Sequence, residues 1–118
     1  MQERKWQEMQ QWLQARKDEC AREQASLRAQ GRQDEAVFQQ IRMNVFGLTG
    51  PVLAVSMKDA EPEEAFLRRM TQIPSAWEAA RQKAEAHGDS VQVYLEEIKL
   101  KAAEEIRQTF MQMRSEEA

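Results

Sequence analysis

The segment from Ala36 to Met57 (AVFQQIRMNVFGLTGPVLAVSM) is the most apolar part of the chain, and long charge-rich segments flank it on both sides. It contains Gly47 and Gly50, and Pro51 follows directly. Glycine destabilises a helix interior and proline removes a hydrogen bond there, so this combination is typical of a break. The segment therefore predicts a central helix that ends near Phe46 and a tight turn at Gly47 to Gly50. A short apolar turn of helix is expected to start at Pro51.

The composition favours helix throughout the chain. Only 4 glycines and 3 prolines occur in 118 residues, while residues that lose little entropy in a helix are abundant. The hydrophobic fraction of 42% and the mean hydropathy of -0.79 fit a soluble protein with long surface helices. We expect one all-α domain over residues 1–118, an antiparallel bundle of about four helices. Residues 1–60 would form an N-terminal helical hairpin plus the apolar turn, and residues 61–118 a C-terminal helical hairpin.

The first helix is predicted from about residue 2 to residue 30. Its apolar stripe repeats every seven residues and consists of Trp6, Leu13, Cys20 and Leu27, with Met9 beside it. Gly31 would end this helix, and Asp34 is a suitable N-cap for the next one. Trp12 lies off the stripe and has no obvious partner within the chain. It either lies flat on the rim of the bundle or contacts another chain.

The second helix carries a broad apolar arc, which is typical of a central helix. Its members are Val37, Phe38, Ile41, Val45, Phe46 and Leu48. Asn44, the only asparagine in the sequence, lies at the border of this arc. A polar residue there either fixes the register between packed helices or is solvated or hydrogen-bonded to the backbone.

Two long helices are predicted in the second half of the chain. Residues 58–61 form a polar loop, and Pro62 suits the first position of a helix. The stripe that follows consists of Phe66, Met70, Ile73, Trp77, Ala80, Ala84 and His87. Pro74 interrupts this stripe without shifting its phase, which predicts one kinked helix or two coaxial pieces.

Gly88 ends the third helix and Asp89 is expected to cap the fourth. The stripe of the fourth helix is Val91, Leu95, Ile98, Ala102, Ile106, Phe110 and Met113. The short turn between the two helices predicts that they lie antiparallel.

The sequence predicts no catalytic, cofactor or metal site. Cys20 is the only cysteine and His87 the only histidine, so the usual zinc and di-iron ligand sets are missing. The net charge is -3, and neither half carries the basic face that nucleic acid requires. No segment resembles a signal peptide or a membrane span. We therefore expect a cytoplasmic protein that is not an enzyme and binds neither nucleic acid nor membrane.

Two functional hypotheses remain. The first is a protein-interaction module that forms a homodimer. Its candidate interaction surface is Trp6, Trp12, Leu13, Phe46 and Leu48, with the ends of the long hairpin as another possible contact. The second is a regulatory bundle that holds a small molecule in an apolar pocket. The residues expected to line that pocket are Phe46, Phe66, Trp77 and Tyr94.

Overall fold

The computed structural model describes residues 1–117 and contains four α-helices joined by short turns. These are α1 (Glu3–Ala29), α2 (Gln33–Ser56), α3 (Pro62–Ala86) and α4 (Ser90–Ser115). The most extensive contacts join α1 to α2 and α3 to α4, so two helical hairpins form the predicted all-α bundle. Ala118, the last residue of the predicted domain, lies outside the described residues.

A glycine follows the end of α1 and another the end of α3, as the sequence predicts. Gly31 has φ 76° and Gly88 has φ 71°, which a residue with a side chain rarely adopts. After Gly31, the Arg32 N–H donates to the Leu27 carbonyl at 2.9 Å. After Gly88, the Asp89 N–H donates to the Ala84 carbonyl at the same distance. These bonds satisfy carbonyl groups at the helix ends and turn the chain back on itself.

The predicted turn at Gly47 to Gly50 is wrong, because α2 continues through it to Ser56. Pro51 lies inside the helix and removes one backbone donor, the one that the Gly47 carbonyl would accept from. Packing on both sides of this position holds the helix together: Phe46 is 1% exposed and Leu53 is fully buried. Most of the stability of a protein helix comes from such packing, which here outweighs the local preference for a break.

The helix starts agree with prediction at α3 and α4 but not at α2. Pro62 is the first residue of α3. Asp89 accepts a hydrogen bond from the backbone N–H of Gln92 at 3.0 Å and so caps α4. In contrast, α2 begins one residue before Asp34, which lies in the first turn and not at the cap. In the first turn, the negative charge of Asp34 still interacts favourably with the positive end of the helix dipole.

The third helix is continuous through Pro74, consistent with the unbroken phase of its apolar stripe. Between α2 and α3, residues 57–61 form the turn that the polar composition predicts.

The core fills the half of the bundle where α1 and α3 begin and α2 and α4 end, and it reaches the middle of the helices at Cys20, Val45 and Ala102. Phe110 is fully buried there, with ring centroids 4.6 Å from Phe66 and 5.4 Å from Trp6. Lys5 and Glu116 form an ion pair at 2.9 Å beside this cluster. Toward the two hairpin tips fewer side chains are buried, and the predicted stripe of α4 is uncovered at its start, where Val91 is 68% exposed.

The bundle is less compact than its length allows. Its radius of gyration is 15.7 Å, against about 13.5 Å for a compact domain of this length. Among the described residues, α1 and α3 do not pack against each other as the other helix pairs do. This open packing leaves parts of apolar helix faces uncovered.

Candidate interaction surface

Three of the five residues predicted as an interaction surface lie in the core of the chain. Trp6 is 5% exposed, Leu13 3% and Phe46 1%. Trp6 packs on Phe110 of α4, and Phe46 packs on Trp12 of α1. Other helices of the same chain cover these three side chains, so the predicted surface is corrected to exclude them.

Trp12 is half-buried where α1 meets α2. Its ring lies edge-on to the Phe46 ring, with centroids 5.9 Å apart and an interplanar angle of 85°. The Arg16 guanidinium lies 5.2 Å from the centroid of the same Phe46 ring. Trp12 therefore has a partner within the chain, which the sequence pattern does not reveal.

A second apolar stripe runs along nearly the whole of α2 on a side that the other helices leave open. Its residues follow one another at intervals of four and three, which places them on one helix face. We call this stripe the α2 face: it consists of Val37, Ile41, Asn44, Leu48, Pro51 and Val55. Val37 is 49% exposed and Val55 is 56% exposed. Leu48, from the predicted surface, is half-buried at its middle.

The core side of α2 carries a separate stripe of buried residues. Val45 is 2% exposed, and Thr49 and Leu53 are fully buried. The helix is therefore apolar on two sides, although only one of them packs against the rest of the chain. A helix with this distribution is usually covered all round.

No residue of the α2 face is charged, and from Met43 to Met57 its neighbours on the helix are uncharged as well. Residues 43–57 form an uncharged run of fifteen, longer than any other in the sequence. At the chain average of 31% charged residues, such a run would contain between four and five charges. The expectation of a turn at residues 47–50 hid this stripe, because the spacing is recognisable only if the helix continues.

Asn44 is the one polar side chain in the α2 face, and it is exposed. Its Oδ1 accepts a hydrogen bond from Gln40 Nε2 at 2.9 Å. Gln40 in turn accepts from the buried Gln24 of α1 at 2.8 Å. This relay orients the Asn44 amide from the interior, while its nitrogen donates no hydrogen bond within residues 1–117.

A cleft of about 300 Å³ borders the α2 face on the α1 side. Its floor includes Gly47 and Gly50, whose missing side chains create the space. The Lys17 side chain of α1 runs past Gly47, 3.7 Å from where a Cβ would stand. The backbone of α2 is thus open to close approach beside Pro51.

A larger groove of about 630 Å³ lies between α4 and the tip of the first hairpin. Phe38 and Tyr94 meet in it edge to face, with ring centroids 4.9 Å apart. Of the four residues predicted to line an apolar pocket, Tyr94 is in this groove. Phe46 and Phe66 are instead buried in the core, and Trp77 packs partly buried against it.

Three residues with distinctive chemistry remain, Cys20, His87 and Glu96, and their positions in the fold account for them structurally. Cys20 is 2% exposed, and burial raises the pKa of its thiol. His87 is exposed at the end of α3, with Nδ1 2.7 Å from the Lys83 carbonyl oxygen. Glu96 is 3% exposed; its Oε1 accepts from Lys99 at 3.1 Å, and its Oε2 has no partner in the described chain.

Comparison with other proteins adds no functional information. No protein-family model, curated protein or solved structure matches the chain. Within residues 1–117 no three His, Cys, Asp or Glu side chains are grouped so as to hold a metal ion. None of the described helices is long and apolar enough to cross a membrane.

Proposed function

We propose that this chain is a non-catalytic protein-interaction module, and that the α2 face is its binding surface. The observation that carries the proposal is an exposed apolar stripe without charge on a chain whose other helices carry charges at regular intervals. The central parts of protein interfaces are depleted of charge in the same way. A scattered exposed valine needs no explanation, but a continuous stripe along one helix does.

The exposed side chains of the α2 face support an interface there more than at Trp6, Leu13 and Phe46, which are buried. Val37 and Val55, near the two ends of the stripe, are about half exposed, so both can contact a partner without rearrangement of the core. The cleft at Gly47 and Gly50 adds a depression into which a partner side chain fits. A helix is the partner element that suits a straight stripe with this spacing. A cytoplasmic location is part of the proposal, since a lone thiol suits a reducing compartment.

The test is site-specific photo-crosslinking in cells of the source organism. A benzophenone amino acid is placed at Val55, and in a matched control at Val91, which is exposed on α4. We expect covalent adducts with protein from position 55 and none, or far fewer, from position 91. Absence of protein adducts from both position 55 and position 37 would refute the proposed interaction surface.

A second candidate function is binding of a small neutral aromatic molecule in the groove at Phe38 and Tyr94. Its volume of about 630 Å³ is within the range of small-molecule sites. Four glutamates and three basic side chains line it, so the charges nearly balance and the aromatic pair is the feature that would select a ligand. The measurement is a rise in Tm with 2-naphthol that is lost in Tyr94→Ala and kept in a control variant, Met111→Ala. No rise at millimolar 2-naphthol would exclude this candidate.

A further inference from the structure

We infer that the partner of the α2 face is a second copy of this chain, packed two-fold symmetrically with the two Asn44 side chains at the axis. This inference rests on the proposed function and names the occupant of its binding surface. Residues 43–57 are the longest uncharged run in the sequence and lie in the α2 face and beside it, so a copy of the same face is the complement the chain itself provides. If a charged surface packed against the α2 face instead, its charges would be buried without partners.

Symmetry supports the pairing along the length of the helix. In a two-fold dimer the same patch meets itself, so a residue near one end of the stripe meets either its own copy or a residue near the other end. Both ends of the α2 face carry an exposed valine, Val37 and Val55. With Asn44 at the axis, a parallel pair places each valine opposite its own copy, whereas an antiparallel pair would place Val55 opposite Gln33. Parallel pairing is therefore the orientation in which apolar meets apolar along the whole stripe.

Asn44 fixes the register. It lies at the midpoint of α2, which runs from residue 33 to residue 56, so an axis at Asn44 gives the largest overlap of the two helices. A single asparagine in an otherwise apolar helix seam is best satisfied by its own copy, a device that specifies register in coiled coils. The bond from Gln40 leaves the Asn44 amide nitrogen free to donate to the partner's Asn44 oxygen.

The size of the contact sets the expected strength. A helix of 24 residues is about 36 Å long and about 10 Å wide, so the contact strip is on the order of 360 Å² per chain. Standard interfaces bury about 800 Å² per partner. The dimer should therefore be reversible, with a dissociation constant in the micromolar range or weaker.

The experiment is light scattering after size exclusion on the full chain, over loading concentrations from about 1 µM to about 1 mM. We expect the mass to rise from 13.8 kDa toward twice that value. Val55→Lys and Val37→Lys should each raise the dissociation constant at least tenfold, while the matched control Val91→Lys changes it less than twofold. All three sites are about half exposed or more, and circular dichroism verifies that each variant folds.

A disulfide test examines the register. Asn44→Cys should form a covalent dimer on mild oxidation, whereas Gln108→Cys on the exposed side of α4 should not. The unmodified chain, which contains only the buried Cys20, gives the background level of disulfide crosslinking.

Three outcomes would overturn the inference. The first is a monomer at every concentration. In that case, photo-crosslinked adducts between position 55 and a different protein would still support the proposed function. The second is a dimer that Val91→Lys disrupts and Val55→Lys does not. The third is a monomer that binds phosphatidylcholine vesicles through Val55, which would assign the face to a lipid surface.

Discussion

Replacing Pro51 with alanine tests whether α2 is one helix. In the structure Pro51 is exposed inside α2, so the substitution removes no buried contact and restores a donor for the Gly47 carbonyl. Proline in a helix interior is about 3 kcal/mol less favourable than alanine. Loss of the proline restriction on the unfolded chain offsets about 0.4–1 kcal/mol of this. We expect Pro51→Ala to raise the free energy of unfolding by about 2 kcal/mol.

The assay is urea and thermal denaturation followed by circular dichroism, at low micromolar concentration so that association does not contribute. For 118 residues the entropy of unfolding is about 250 cal/mol/K, so a gain of about 2 kcal/mol raises the Tm by about 8 °C. Gly50→Ala should add about 1 kcal/mol, because no atom lies within 4 Å of the added Cβ. Pro62→Ala is the matched control, since a proline at the first helical position blocks no hydrogen bond.

The opposite signs would refute the reasoning. If a turn occupied residues 47–50, Pro51 would start a helix, and its replacement would be neutral or destabilising. Alanine at Gly50 would then strain the turn and lower the Tm. A loss of stability in both variants, with Pro62→Ala unchanged, contradicts a continuous α2.

Two further predictions concern buried side chains. Phe110→Ala should lower the free energy of unfolding by roughly 3–5 kcal/mol in urea denaturation, because Phe110 is fully buried between Trp6 and Phe66. A loss no greater than that of Met111→Ala, a 45% exposed neighbour, would contradict its central place in the core. For Cys20, burial raises the thiol pKa, so stability is complete below the ordinary thiol pKa of about 8.5 and falls as pH rises toward the folded value. Urea denaturation from pH 7 to 10 should show this fall, and Cys20→Ala should remove it.

Local signals in the sequence predict most of the fold. The left-handed glycines Gly31 and Gly88, the cap at Asp89 and the helix start at Pro62 act through backbone geometry within a few residues, so they can be recognised without tertiary information. The heptad stripes likewise predict which face of each outer helix is apolar. The number of helices and their pairing into hairpins follow from these features.

The continuity of α2 and the location of the binding surface depend on packing between distant segments. At Pro51 the local preference for a break is overcome by burial of Phe46 and Leu53, which the neighbourhood of the proline does not reveal. At Trp6 the pattern predicts an apolar side chain, but its cover by Phe110 of α4 depends on how the hairpins meet. Periodicity predicts apolar faces, while only the assembled helices determine which face stays open.

The placement of the core in one half of the bundle implies unequal local stability along the hairpins. Amide protons near Phe66 and Phe110 open to solvent only when much of the bundle unfolds, since all four helices converge on that cluster. Amides close to the tips at Gly31 and Gly88 lack this cover and exchange through fraying of single turns. Hydrogen–deuterium exchange should therefore form a gradient along every helix, running in opposite chain directions in successive helices. The α2 face spans this gradient, so a copy bound along its length would slow exchange most in the half of α2 nearer the first tip.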